Sequence, residues 1–173
     1  MPRSKLFESI MQVSIRPIVG TDSSWVRDFI SGRWGAEFVV AHGVTYYPHR
    51  LQGFLAEADG VGPVGLATYT IDSSRCELVT LDSLQEGQGI GTALVRSVAE
   101  EASECGCRQL WCITTNDNLP ALRFYQRRGF HIAAVFPNAV DRSRELKRSI
   151  PEFGVDGIPI RDEIELEVQL PLP

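Results

Sequence analysis

No run of 18 consecutive apolar residues occurs anywhere in these 173 residues, so no segment has the length and character of a membrane-spanning helix. Positive charge is not in excess either. The formal net charge is −5, which argues against a nucleic-acid partner, because phosphate contacts require a basic face. It is compatible with a cationic small-molecule substrate. Metal-binding spacing is missing as well. The cysteines are Cys76, Cys105, Cys107 and Cys112, and Cys105-Gly106-Cys107 lacks the spacer of common zinc sites, with His42 and His49 far off in the sequence. Reduced, mostly buried thiols in a cytoplasmic protein are the better reading, with no metal. The opening residues, Met1 to Ser9, lack the apolar core of a secretory signal. No internal repeat and no low-complexity segment is found.

What is present is ordinary globular composition, 43% hydrophobic and 23% charged, at a length that suits one domain with a real core. Residues 1–11 are expected to form a flexible extension and 12–173 a single domain. The most informative stretch is Glu86-Gly87-Gln88-Gly89-Ile90-Gly91-Thr92, which lies between two periodicities. Before it, Cys76-Glu77-Leu78-Val79-Thr80-Leu81 reads as a strand. After it, Ile90, Leu94, Val98 and Ala102 step by four, a helix stripe. The glycines therefore form a strand-to-helix turn that opens a helix. Orphan amide donors and the positive dipole end converge there, which makes the turn an anion site. A phosphate-bearing cofactor is the first expectation.

The remaining elements follow from pattern and punctuation. Residues 12–18 read as a strand. Thr21-Asp22-Ser23-Ser24 is rich in capping residues, and Trp25 to Ser31 reads as a helix that stops near Gly32. Residues 33–50 read mostly as a loop, with Val39-Val40 a candidate short strand. Phe54 to Ala58 and Val64 to Ile71 form a hairpin about Asp59-Gly60, followed by a strand over 75–82 and a helix over 89–105. Arg108 to Thr115 is the next strand. Asn116-Asp117-Asn118 caps a helix with Pro120 in its first turn that runs to about Arg128, and Phe130 to Phe136 is a strand. A charged helix is expected over 139–149, then a Pro/Gly loop over 151–160, then a strand of strict alternation over 164–170. This order gives an α/β or α+β sandwich with a mixed sheet.

Two phosphate motifs fail on spacing. No Lys follows Gly91 as a P-loop requires, and the glycine intervals are wrong for a dinucleotide fingerprint, whose strands would also alternate with helices. Gly87-x-Gly89-Ile90-Gly91 followed by Leu94-Val95 instead resembles the pyrophosphate-binding motif of the GCN5-related N-acetyltransferases (GNAT). Asn118-x-x-Ala121-Leu122-x-Phe124-Tyr125-x-x-x-Gly129-Phe130 resembles a second block of that family. The tail around Gly157 to Leu166 is similar to that of an uncharacterised bacterial branch. Glu86 stands where the family usually carries Arg or Gln. An acidic side chain beside a diphosphate would weaken binding, so Glu86 is expected to point to solvent, with Gln85 and Gln88 as polar helpers.

The resemblance implies a mostly antiparallel central sheet of about seven strands, flanked by helices and splayed between its fourth and fifth strands (75–82 and 108–115). It implies acetyl-CoA as co-substrate and acyl transfer to an amine. The turn residues Gly87, Gln88, Gly89, Ile90, Gly91 and Thr92 would hold the pyrophosphate. The backbone of Val79, Thr80 and Leu81 would pair with the pantetheine arm, and an N–H near Leu81 would polarise the thioester carbonyl. Tyr125 would protonate the departing thiolate. Asn118, and equally Asn116, would bind the pantetheine or cap the helix. Glu77 lies four residues before Leu81, so regular strand alternation puts both on one face, and it is the candidate general base. Asp82 is the alternative, since the next strand carries Ile113 where many relatives place a glutamate. Trp34, Glu37, His42, Tyr46 and Arg50 are candidates to line the acceptor site. The 138–160 insertion is expected to cover that site or to form a homodimer contact. A small-molecule amine is the expected acceptor. A protein or peptide N-acetyltransferase and an acyl-CoA-binding protein with weak catalysis are the alternatives.

Overall fold

The computed structural model describes residues 12–172; the extension expected over residues 1–11 lies outside them. The elements in chain order are β1 (Val13–Pro17), α1 (Ser23–Trp34), β2 (Val39–Ala41), β3 (Val44–Tyr46), β4 (Gln52–Ala58), β5 (Gly62–Asp72), β6 (Arg75–Ser83), α2 (Ile90–Glu104), β7 (Gln109–Thr115), α3 (Leu119–Gln126), β8 (His131–Phe136), α4 (Ala139–Leu146) and β9 (Glu163–Gln169). Seven strands form one sheet in the order β1-β4-β5-β6-β7-β9-β8. Every neighbouring pair in it is antiparallel except β6 and β7, which run parallel. The sheet is the mixed, mostly antiparallel one expected.

Two apolar clusters hold its faces. One lies under α2, where Ile90, Leu94, Val98 and Ala102, the stripe read from the sequence, are buried against Phe54, Ala67, Tyr69 and Leu78. The other lies under α1, where Val26 and Ile30 pack on Leu55 and Leu66 of β4 and β5. Fully burying a leucine or valine contributes about 1.5–3 kcal/mol, so the α2 stripe pins the helix that carries the glycine turn.

Three boundaries differ from the sequence reading. Helix α1 does not stop at Gly32 but runs through it to Trp34 and ends at Gly35, whose N–H bonds the Ser31 carbonyl. Glycine weakens a helix interior without breaking it, and Ile30 keeps this one on the sheet. Residues 33–50 are more than a loop: β2 and β3 pair as a separate two-stranded sheet, and Pro48–Arg50 form a short 3-10 turn. Helix α4 ends at Leu146 rather than at 149, because Lys147 leaves helical geometry and sends its ammonium to the Trp34 and Phe38 carbonyls at 2.7 and 3.2 Å. Burial pulls the Lys147 pKa below its usual value.

Candidate active site

Strands β6 and β7 pair only over Arg75–Glu77 against Gln109–Trp111, and beyond that register the two strands part. The gap is a cleft of about 630 Å³, walled by Leu78, Val79 and Leu81 on one side and by Ile113 and Thr114 on the other. A one-residue bulge marks the point of divergence. Thr80 opposes Thr68 and Leu78 opposes Tyr69, so Val79 has no partner on β5. An extra residue bends a strand and shifts its alternation by one. Thr80 and Asp82 therefore share the α1 face with Glu77, and the Thr80 and Thr68 hydroxyls meet at 2.7 Å. Leu81 turns to the α2 cluster instead. This corrects the expectation that Glu77 and Leu81 share a face: regular alternation does not survive a bulge.

The glycine turn closes one end of the cleft. Gly87, Gly89 and Gly91 line it, whereas Gln88 is exposed and lies off its wall. Gly87 and Gly89 adopt left-handed geometry at φ 76° and 77°, which costs a side-chain-bearing residue about 1–2 kcal/mol. Among the described residues no side chain caps α2, and the first bond into the helix runs from Ala93 N–H to the Gly89 carbonyl. The amides before it keep the free donors of a helix N-terminus. Gly91 is needed for close approach: a Cβ there would sit 3.2 Å from the Phe124 ring of α3. Glu86 is exposed but also lines the cleft.

Tyr125 of α3 forms part of the same wall. It is 8% exposed, and burial raises its pKa well above the ordinary phenol value, with the Cys112 thiol as its hydrogen-bond neighbour. Burial likewise pushes the Cys112 thiol up to about 12. Both groups are thus held protonated at neutral pH. Asn118 lines the cleft and caps α3 by accepting from Ala121 N–H at 3.2 Å. Asn116 does neither, contrary to expectation. Its amide oxygen accepts from Arg161 and Asp162 N–H and its nitrogen donates to the Pro159 carbonyl, so it ties down the chain entering β9.

On the α1 face, three expected residues come together. Glu77 is 5% exposed; its Oε1 lies 2.9 Å from His42 Nε2, and the Tyr46 hydroxyl donates to its Oε2 at 2.8 Å. His42 occupies the tight β2–β3 turn at φ 41°, an uncommon backbone for a non-glycine residue. Its own N–H donates to Glu163. The bond to Glu77 raises the His42 pKa against the opposing effect of burial. A few residues along β6, Asp82 accepts from Arg33 Nε at 3.1 Å and from Trp34 Nε1 at 3.0 Å. Burial raises the Asp82 pKa, against the pull of those two bonds. Asp82 and Trp34 line the cleft; Glu77, His42 and Tyr46 do not.

Glu37 and Arg50, expected in the acceptor site, are elsewhere. Glu37 pairs with Arg27 at 3.5 Å on the surface, and Arg50 stacks over Tyr47. Helix α4 packs across this side: Ser143 donates to Glu163 at 2.8 Å, and Lys147 bonds the end of α1. Arg33 was not singled out from the sequence. It stands next to Trp34, and only the extension of α1 past Gly32 brings it to Asp82. Among the described residues, no group of three or more His, Cys, Asp or Glu is placed to hold a metal ion, and no helix is long and apolar enough to cross a membrane.

The sequence pattern of the acetyltransferase (GNAT) family matches residues 23–130. The chain is 47% identical over 138 residues to YdhI, an uncharacterised protein of Bacillus subtilis (strain 168), covering 79% of this chain and 86% of that one. The fold is similar to that of an IAA acetyltransferase from Bacillus cereus ATCC 14579, with a TM-score of 0.70 at 24% identity, over 92% of this chain and 100% of the other. It is also similar to a Bacillus subtilis acetyltransferase in complex with CoA, with a TM-score of 0.64 at 20% identity over 92% and 99% of the chains.

Proposed function

The chain belongs to the acetyltransferase (GNAT) family, with acetyl-CoA as its co-substrate, and from that premise we propose that its acceptor is a primary amine of a small molecule, attacked directly within a ternary complex. The observation that carries this reading is the cleft where β6 and β7 part. It has free helix-terminal donors at one end, Tyr125 in its wall and buried carboxylates beside its α1 face. Acetyl-CoA supplies the thioester carbonyl to be attacked and the thiolate that leaves.

The chain's residues divide the remaining work. The amides of Gly89, Gly91 and Thr92 hold the diphosphate, as a helix N-terminus does for any phosphate. The main chain of Val79, Thr80 and Leu81 pairs with the pantetheine arm, and the Leu81 N–H polarises the carbonyl. The acceptor enters on the α1 face, between Trp34 and the β2–β3 hairpin. Glu77, oriented by His42 and Tyr46, accepts the amine's proton through water. As the C–N bond forms and the C–S bond breaks, the Tyr125 hydroxyl donates toward the departing sulfur. Its raised pKa makes full transfer to a thiolate of ordinary pKa near 8.5 uphill, so Tyr125 acts mainly by hydrogen-bonding that sulfur. Helix α4 and the β2–β3 hairpin, tied to Glu163 and Glu77 on the α1 side, add bulk there and favour a small acceptor over a peptide. Titration calorimetry with acetyl-CoA, joined to a free-thiol assay over a panel of amines, tests the reading. Binding with thiol release on small amines is expected. Binding with no release on any amine would favour an acyl-CoA-binding protein instead.

A further inference from the structure

Residues 84–92, which build the anion cradle, contain no lysine or arginine and carry the acidic Glu86. The diphosphate of coenzyme A is anionic and a helix N-terminus offers only a partial positive charge, so a cation from elsewhere would complement the amides. Arg128, just past α3, supplies one. Its Nε and Nη2 both donate to Thr92 Oγ1, at 3.0 and 2.5 Å, and its Nη1 donates to the Phe124 carbonyl at 2.7 Å. The guanidinium carbon sits over the Phe124 ring, 3.5 Å from its centroid, and that ring packs on Gly91. The cation is thereby locked beside the first turn of α2, and it lines the cleft.

For the protein alone this placement suits the C-terminal end of α3, whose Phe124 carbonyl takes Nη1, but not the start of α2. A cation at a helix N-terminus opposes the macrodipole. Among the described residues no carboxylate pairs with Arg128, and burial together with Arg127 and Arg96 lowers its pKa. The second groove it lines, about 970 Å³, also draws on Arg96, Arg123 and Arg127, with Asp156 as its one carboxylate. Donors remain to be filled: Nη1 and Nη2 each carry two protons and each commits one. Thr92 Oγ1 accepts twice from Arg128, which leaves its own proton to donate outward. An anion over the turn would answer all of these at once.

We propose that Arg128 is the phosphate-binding cation of this enzyme, supplied by α3 in place of one on the glycine turn, and that it pairs in a forked fashion with the diphosphate of acetyl-CoA while Thr92 donates beside it. The inference rests on acetyl-CoA being the co-substrate.

The test compares wild type, R128Q and R128K by calorimetry with CoA, and by thiol release with acetyl-CoA and with S-acetylpantetheine, which has no diphosphate. R128Q is expected to weaken CoA binding on the order of tenfold to a hundredfold, the range for a charge-assisted hydrogen bond, and R128K by a smaller factor because it loses the fork. The penalty is expected to disappear with S-acetylpantetheine. Adding E86R to R128Q is expected to restore part of the affinity. CoA binding by R128Q within twofold of wild type would overturn the proposal. So would an equal loss with S-acetylpantetheine, which marks a packing role. If R128Q lacks a cooperative melt, R128K decides by the same two comparisons. Failure of the wild type to bind CoA at all would strike the co-substrate assignment instead.

Discussion

At the scale of single residues, burial and pairing set the chemistry that Tyr125, Glu77 and His42 can do. Tyr125→Phe keeps the ring packing and deletes only the hydroxyl. Turnover is expected to fall by ~10²–10⁴ if that hydroxyl assists the leaving thiolate, with CoA affinity nearly unchanged. A thiol-release assay beside calorimetry reads both, and an unaltered kcat would remove Tyr125 from the mechanism. The His42 contact makes a pH prediction. Glu77 raises the folded-state pKa of His42 above its ordinary 6.5. A raised pKa means that the folded state holds the proton more tightly. The resulting stability is complete below about pH 6.5 and is lost as pH climbs through the folded value. Urea unfolding of wild type and His42→Asn should therefore show a gap that narrows above pH 6.5; a gap constant from pH 5 to 9 would contradict it. Tyr125 and Asn118 could be singled out in the sequence because each sits in a patterned block. The pairing of His42 with Glu77 could not, because it joins a hairpin turn to a strand 35 residues on.

At the scale of elements, the turn before α2 depends on two left-handed glycines, Gly87 and Gly89. Gly89→Ala puts a Cβ into open space, so its cost is conformational, about 1–2 kcal/mol by denaturant unfolding. If the left-handed turn aims the amides at the diphosphate, CoA affinity should drop as well. Affinity that survives while stability falls would separate the turn from the cofactor. Element identity was largely legible: the four-residue stripe of α2, the strict alternation of β9 and the caps of α3 are local signals. The end of α1 was not, because glycine reads as a stop wherever it occurs, while Ile30 on the sheet holds the helix together past Gly32. The bulge at Val79 was likewise hidden. It is a mismatch between two strands, and a single strand carries no mark of it.

At the scale of the whole molecule, the sheet is closed on both sides of a split. Strands β1, β4, β5 and β6 form one half, and β7, β9 and β8 form the other, joined by a few residue pairs at one end. If acetyl-CoA fills the split, hydrogen exchange should slow at residues 79–81 and 89–92 on adding CoA. The hairpin of β4 and β5, paired along its length but for one bulge, should be unaffected. Uniform protection across all strands would point to general tightening instead of a ligand in the gap. The chain by itself determined most of the strands and helices and the glycine turn that opens α2, because these depend on neighbours within a few residues, through periodicity, caps and glycine spacing. The kind of co-substrate was legible through the resemblance of two motif blocks to a family. Only the tertiary structure decided which residues of separate elements meet: Asp82 with Arg33 and Trp34, Glu77 with His42 and Tyr46, Arg128 with Thr92. Those contacts join separate elements whose faces are set by a bulge, a lengthened helix and packing on Phe124, and none of these leaves a local trace.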